Sequence, residues 1–354
     1  MWLRRYFVNA LVEYSKENHR QKVFGDLLIM KTVLVSAPYI LPEMARFRLV
    51  LETFDLDLII AEVNERLSEE EILAHAGSFD GTICGDDRYS RRVIEACTPR
   101  LRVISKWGTG IDSIDRVAAN DLGVMVGNTS NAFSVPVSES VLGYMLAFAR
   151  QIPWLDDQMK AGHWEKLNGK TLSECTLGVI GVGNVGKAVI HRAHRFGMKL
   201  LGNDIVEIAP EFLKKYEVEM TDLESLLARA DFISVNCTLN PTSKHLINAE
   251  RLTLCQPGAV LINTARGPVV DQPALVASLQ KGQLRGAAMD VFEEEPLPTD
   301  SPLLSMDQVL LAPHNANSSP EFWERVHWNT IKNLLIGLDI QIDPLERLEE
   351  QYSA

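Results

Sequence analysis

The stretch TLGVIGVGNVGKAV, Thr176 to Val189, restricts the fold more than any other part of the chain. A short apolar run ends in Gly181-x-Gly183-x-x-Gly186 and passes into a helical pattern with Val185, Ala188, Val189, Ala193 and Phe196 on one side. Strand, glycine turn and helix in that order open a β-α-β unit. Gly181 permits the tight turn, Gly183 lets backbone approach a pyrophosphate, and Gly186 lets helix and strand pack closely. The first-turn amides, at Asn184 and Val185, lack helical acceptors and sit at the positive end of the dipole. A second apolar run, KLLGND, ends in Asp204, about 20 residues on. Its carboxylate would accept the adenosine ribose hydroxyls and repel a 2′-phosphate. No Lys or Arg follows it in IVEIAP, so the pattern predicts NAD rather than NADP. A glycine turn that binds nothing would share the three glycines, but not this flanking strand, helix and acid.

The rest of the chain keeps the same rhythm. From Lys31, apolar runs and amphipathic stretches alternate through TVLVSA, LPEMARFRLVLETF, LDLIIA, SEEEILAHA, GTICG, SRRVIEACT, LRVISKWG and VMVGNT. A second series begins at TLGVIG and recurs at KLLGND, DFISVNC, GAVLIN, RGAAMD and VLLAP. This alternation predicts an α/β fold with parallel sheets covered by helices. The apolar helix from Pro136 to Arg150 breaks the rhythm and reads as a bridge between domains. A last helix, from Pro320 to about Leu338, places Phe322, Val326, Ile331, Leu335 and Leu338 on an apolar face.

A chain of 354 residues exceeds one ordinary core and implies two domains. With 35 Lys and Arg against 47 Asp and Glu, it offers no broad basic face for nucleic acid. The five cysteines are widely spaced without a CxxC pair, so neither a disulfide framework nor a zinc site is expected, and a reducing cytoplasm fits. No run reaches the ~20 apolar residues of a membrane span. Arg4 and Arg5 precede an apolar patch as in a secretory signal, yet the patch ends at Glu13 with no small-residue cleavage site after it. Met30 opens MKTVLVSAPYI like the start of a first strand, so residues 1–30 read as an extension, either a peripheral helix or poorly ordered.

Four further features carry a resemblance. ISKWGTGIDSID (Ile104 to Asp115), LINTARGPVVD, GAAMDVFEEEPLP and APHNAN stand in fixed order around the glycine loop. The chain resembles the D-isomer-specific 2-hydroxyacid dehydrogenases, and among them the phosphoglycerate dehydrogenase-like members, from about Lys31 to about Leu338. That resemblance implies two Rossmann-like or flavodoxin-like β-α-β domains, the nucleotide domain inserted into the substrate domain. The substrate domain would span 31–136 completed by 318–354, and the NAD-binding domain 137–317. It also implies a homodimer, with GHWEKLNGKTLS as its arm.

Carried over residue by residue, the resemblance places the catalytic arginine on Arg266, the glutamate on Glu295 and the histidine on His314. Glu293, Glu294 and Glu295 are consecutive, and the carboxylate directly before proline selects Glu295. The chemistry needs these types. Reduction of a 2-keto acid requires a proton beside the developing alkoxide, which histidine supplies near neutral pH. A carboxylate on the far side of the ring orients it and favours its protonated form. Arg266, with no sequence neighbour to pair its charge, offers a planar fork to the substrate carboxylate and carbonyl. Asp290 matches a residue that accepts from the nicotinamide carboxamide. Thr264 and Ala265 match the nicotinamide side, and Cys237 and Thr238 the adenine side. Thr109 and Gly110 match backbone donors to the substrate carboxylate.

The substrate is less constrained. Lys106 stands where phosphoglycerate-oxidising relatives often have arginine, and Gly85, Asp86 and Asp87 occupy another basic position, with Arg88 as a substitute. The expectation is 3-phosphoglycerate or a related small 2-hydroxy acid. Two carboxylates at a pocket mouth would repel a phosphate unless neutralised, so a sugar-derived acid, or glyoxylate or hydroxypyruvate, is the alternative. An NAD-sensing corepressor of the same fold is a second alternative, of another class.

Overall fold

The computed structural model describes residues 30–341. The expected character of residues 1–29 therefore lies outside the described residues. The chain divides into two compact units. One comprises the described residues up to Ala132 together with those from Pro320 onward, and the other is Phe133–Ser319.

The first unit is built on five strands, β1 (Lys31–Val35), β2 (Leu56–Ile60), β3 (Gly81–Cys84), β4 (Val103–Lys106) and β5 (Met125–Gly127). They form one parallel sheet in the order β2-β1-β3-β4-β5. The switch of direction falls between β1 and β3, the place where open α/β sheets take ligands. The helix foreseen in SEEEILAHA starts where Ser68 and Glu71 form a reciprocal capping box, satisfying two amides that have no helical acceptor. The helix Pro320–Gly337 covers β3 to β5 and buries Val326, Ile331 and Leu335 of the expected face, together with Leu334, while Phe322 stays half-buried. Two polar residues on that face, His327 and Thr330, are buried as well. Each is satisfied: Trp107 Nε1 donates to His327 Nδ1 at 2.9 Å, and Thr330 Oγ1 donates to the Val326 carbonyl at 2.7 Å.

The second unit has seven strands, β6 (Thr176–Ile180), β7 (Lys199–Asn203), β8 (Val218–Met220), β9 (Phe232–Val235), β10 (Val260–Asn263), β11 (Gly286–Met289) and β12 (Val309–Leu311). Their order is β12-β11-β10-β9-β6-β7-β8, every neighbouring pair parallel. Sequence periodicity missed β8, which has only three residues at the sheet edge and no alternation to read. Strands β9, β10 and β11 are buried at every position because helices cover both faces. One face packs Val141, Met145 and Phe148 of the helix Ser134–Arg150 against Val179, Val189 and Ile190. The other packs Leu226, Leu227, Leu275 and Leu279 against Ile233, Val235 and Leu261. Each such side chain contributes about 1.5–3 kcal/mol by leaving water.

Burial lowers the His327 pKa from 6.5 to about 4, with Arg46 adding to the shift and Glu324 opposing it. The unfolded chain then binds the extra proton first as pH falls, so this stabilisation is complete above pH 6.5 and is lost between 6.5 and about 4. At 1.36 kcal/mol per unit the loss amounts to roughly 3 kcal/mol. Urea unfolding followed from pH 7 to 4 is expected to show a flatter pH dependence for His327→Gln than for the parent chain.

Candidate active site

In the second unit, register places the motifs. Pairing aligns Asn203, Ile180, Val235, Asn263, Met289 and Leu311 in one row across β7, β6, β9, β10, β11 and β12. Asp204, Gly181, Cys237, Thr264, Asp290 and His314 each follow that row by one to three residues, at the carboxyl edge of the sheet. The ladder continues one step beyond the strands: Asn236 N donates to the Ile180 carbonyl at 2.8 Å, Asp290 N to Asn263 at 3.0 Å and Ala312 N to Met289 at 3.0 Å.

The glycine loop stands at the switch between β6 and β9. A β-carbon on Gly186 would lie 2.0 Å from the Gly181 carbonyl oxygen, and one on Gly181 would lie 2.6 Å from Cys237 N. At Gly183 nothing lies within 4 Å, which leaves the cradle open for a ligand's phosphates. The amides of Gly183, Asn184 and Val185 donate to no group among the described residues. Asp204 follows β7 directly and accepts Val182 N at 2.6 Å and Val206 N at 3.1 Å. Cys237 is half-buried, its thiol pushed up to about 11 by burial, and Thr238 is exposed beside it. These groups fit a dinucleotide.

At the other side of the edge, His314 Nδ1 meets Glu295 Oε2 at 3.0 Å. Glu295 Oε1 accepts the Phe292 amide at 2.8 Å, so both carboxylate oxygens are engaged. The three consecutive glutamates are thereby told apart, for Glu293 turns instead to His245, 2.9 Å away. His314 has a left-handed backbone, φ 51°, a costly conformation for a residue with a β-carbon. Asp290 holds it there. The Asp290 carbonyl accepts His314 N at 2.7 Å, and the buried carboxylate accepts Asn315 N at 2.8 Å and Ala316 N at 3.0 Å. Burial raises the Asp290 pKa, against the lowering effect of those amides and of His314. The carboxylate expected to face a carboxamide also supports the histidine loop.

Arg266 leaves β10 in a turn shaped by Asn263, a fully buried residue that the sequence reading passed over. Asn263 Oδ1 accepts Ala265 N at 3.1 Å and Nδ2 donates to the Arg266 carbonyl at 3.0 Å. An asparagine directly after an apolar run was the available signal, since its side chain readily closes such turns. The partly buried guanidinium donates from Nη1 to the Ala265 carbonyl at 2.8 Å. Thr264 Oγ1 is buried without a partner among the described residues. Gly267 then touches the glutamate loop. A β-carbon there would lie 1.8 Å from the Phe292 carbonyl carbon and 2.4 Å from Glu293 N.

The first unit carries the remaining candidates at the carboxyl edge of its own sheet. Lys106 is buried, its Nζ 3.2 Å from Asp86 and donating to the Trp107 carbonyl at 2.9 Å. Asp87 is fully buried and accepts Ser36 Oγ at 2.6 Å and Gly85 N at 3.0 Å, so it is a structural group and no part of a pocket mouth. Arg88 points into solvent, 77% exposed, with Glu69 at 3.8 Å. Thr109 is exposed and Gly110 half-buried, and neither amide donates to another group among the described residues. Tyr39, Trp107 and Trp323 gather beside them, with ring centroids 4.8 Å (Tyr39 to Trp107) and 5.8 Å (Trp107 to Trp323) apart. Sequence reading missed this group, because its members are far apart in the chain.

Residues 142–316 match the model of the D-isomer specific 2-hydroxyacid dehydrogenase family, NAD binding domain. A glyoxylate reductase of Thermofilum pendens is 38% identical over 284 residues, which cover 78% of this chain and 84% of that protein. The chain belongs to the D-isomer specific 2-hydroxyacid dehydrogenase family. A D-3-phosphoglycerate dehydrogenase of Methanocaldococcus jannaschii is 40% identical over 264 residues, covering 73% of this chain. The chain spans about half the length of that relative, 50%. The solved D-lactate dehydrogenase from Aquifex aeolicus, complexed with NAD and lactic acid, has a TM-score of 0.74 at 28% identity, covering 85% of this chain and 93% of that one. Family membership accords with two all-parallel sheets. Among the described residues no helix is long and apolar enough to cross a membrane.

The close approach at Gly267 gives a direct expectation. Gly267→Ala must push the Arg266 turn and the Phe292–Glu295 loop apart, lowering stability by about 2–4 kcal/mol through overpacking against backbone. Thermal or urea unfolding of the variant measures it.

Proposed function

We propose that the chain is an NAD-dependent oxidoreductase that interconverts a D-2-hydroxy acid and its 2-keto acid. The 3.0 Å contact between His314 Nδ1 and Glu295 Oε2 carries this reading. A carboxylate only accepts, so Nδ1 holds its proton and Nε2 is the atom at which substrate oxygen gains or loses one. Glu295, itself fixed by the Phe292 amide, keeps the ring oriented. Arg266 presents its fork to the substrate carboxylate and carbonyl oxygen. NAD, when bound, supplies or accepts the hydride at the carbonyl carbon. Gly181, Gly183, Asn184, Val185 and Gly186 take its pyrophosphate and Asp204 its ribose. Cys237 and Thr238 face the adenine side, Thr264 and Ala265 the nicotinamide side, and Asp290 sustains the His314 loop between them.

In the first unit, the Thr109 and Gly110 amides suit a carboxylate. The Lys106 cation is already engaged by Asp86, and three aromatic rings stand at the same edge. These features support a short uncharged or hydroxyl-bearing tail over a phosphate, because the Lys106 charge that would meet a phosphate is already met by Asp86. Reduction of glyoxylate, hydroxypyruvate or a sugar-derived keto acid thus fits better than oxidation of 3-phosphoglycerate. Self-association of two copies belongs to the same reading. It is supported by the segment 161–171, exposed at every residue, with Trp164 84% exposed.

Arg266→Lys is expected to retain the fold and NADH affinity while losing at least about 100-fold in kcat/KM, because one ammonium cannot serve two oxygens in a plane. Near-normal turnover would remove Arg266 from the mechanism. A panel of glyoxylate, hydroxypyruvate, 3-phosphohydroxypyruvate and sugar-derived keto acids, followed by NADH oxidation, tests the substrate. The phosphorylated acid is expected to be the poorest, and no oxidation of NADH by any acid, despite tight NADH binding, would instead favour a sensing role.

A further inference from the structure

A second histidine–glutamate pair shares the loop of the first. His245 Nε2 lies 2.9 Å from Glu293 Oε1, which also accepts the Gln272 amide at 3.2 Å. In return, Glu293 N donates to Gln272 Oε1 at 3.3 Å. The backbone beneath repeats the junction: His245 N donates to the Pro268 carbonyl at 2.8 Å, Ile247 N to Val269 at 3.1 Å and Asp271 N to Ile247 at 2.9 Å. Three segments, 245–247, 266–272 and 292–295, are laced together, with Gly267 seated against the Phe292–Glu293 backbone. Arg266 begins one of these segments and Glu295 ends another.

His245 takes a left-handed backbone, φ 49°, which its bonds to Pro268 and Glu293 must hold. Its side chain is 42% exposed and that of Glu293 29%, so solvent screens their attraction and the pair adds little to folding stability. Geometry is a different matter. A displacement of about 1 Å in a positioned group can lower a rate by roughly 100-fold. We propose that His245 and Glu293 are positioning residues that clamp the Arg266 turn to the Glu295 loop, fixing the spacing between the guanidinium and the carboxylate. The clamp rests on the catalytic reading given above, and it acts through Glu295 without touching substrate.

Steady-state kinetics of the full chain, with NADH and the keto acid turned over fastest in the panel, test it. His245→Ala and Glu293→Ala are each expected to lower kcat about tenfold. KM for NADH should stay within about twofold and the thermal midpoint within about 3 °C, since a screened pair contributes little. His245→Gln, which keeps a donor at similar reach, is expected to recover most of the loss. In a Glu295→Gln background, His245→Ala should cost nothing further, because the clamp acts only by placing the Glu295 carboxylate. Parent-like kcat in both alanine variants overturns the clamp, as does an undiminished tenfold loss in the Glu295→Gln background. Should Glu295→Gln itself turn over normally, the catalytic reading falls and the clamp with it. An impaired Glu295→Gln beside a parent-like His245→Ala overturns the clamp alone.

Discussion

Parallel register is the constraint on which the candidate site depends. Because β6, β7, β9, β10, β11 and β12 end in one paired row, residues separated by more than a hundred positions emerge at one edge. A slip of one residue in any ladder would turn that strand's side chains to the opposite face. The strands resist it because they are buried on both sides by apolar helices. Polar chemistry at the edge is thus held in place by apolar packing below it.

What the sequence discloses follows from the range of each interaction. The glycine loop is local: turn, helix and strand are all encoded within about 20 residues, so Gly181, Gly186 and Asp204 could be read directly. The choice of Glu295 among three glutamates rested on the following proline, and only tertiary contact gives Glu293 and Glu295 their different partners, His245 and His314. Other features arise only from tertiary contact. The contact of Asp87 with Ser36 and the pairing of Asp86 with Lys106 join strands that no local pattern connects. The aromatic group of Tyr39, Trp107 and Trp323 is of the same kind.

Asp290 shows how one buried acid can serve two levels of organisation. Its amide extends the β10–β11 ladder, its carbonyl fixes His314, and its carboxylate fixes the two residues after that histidine. The strained backbone of His314 is therefore over-determined by three hydrogen bonds from a neighbouring strand. An unfavourable conformation held so firmly is a usual companion of functional geometry.

The helix Pro320–Gly337, which closes the face over β3 to β5, has a consequence for the order of events during synthesis. Its apolar residues emerge from the ribosome after all of Phe133–Ser319, a contiguous stretch able to gather its own core first. At ~5–20 residues per second, Val103, which lies against Gly337, waits roughly ten to fifty seconds for its cover. During that interval an apolar sheet face stands open to water, and to whatever chaperone recognises one.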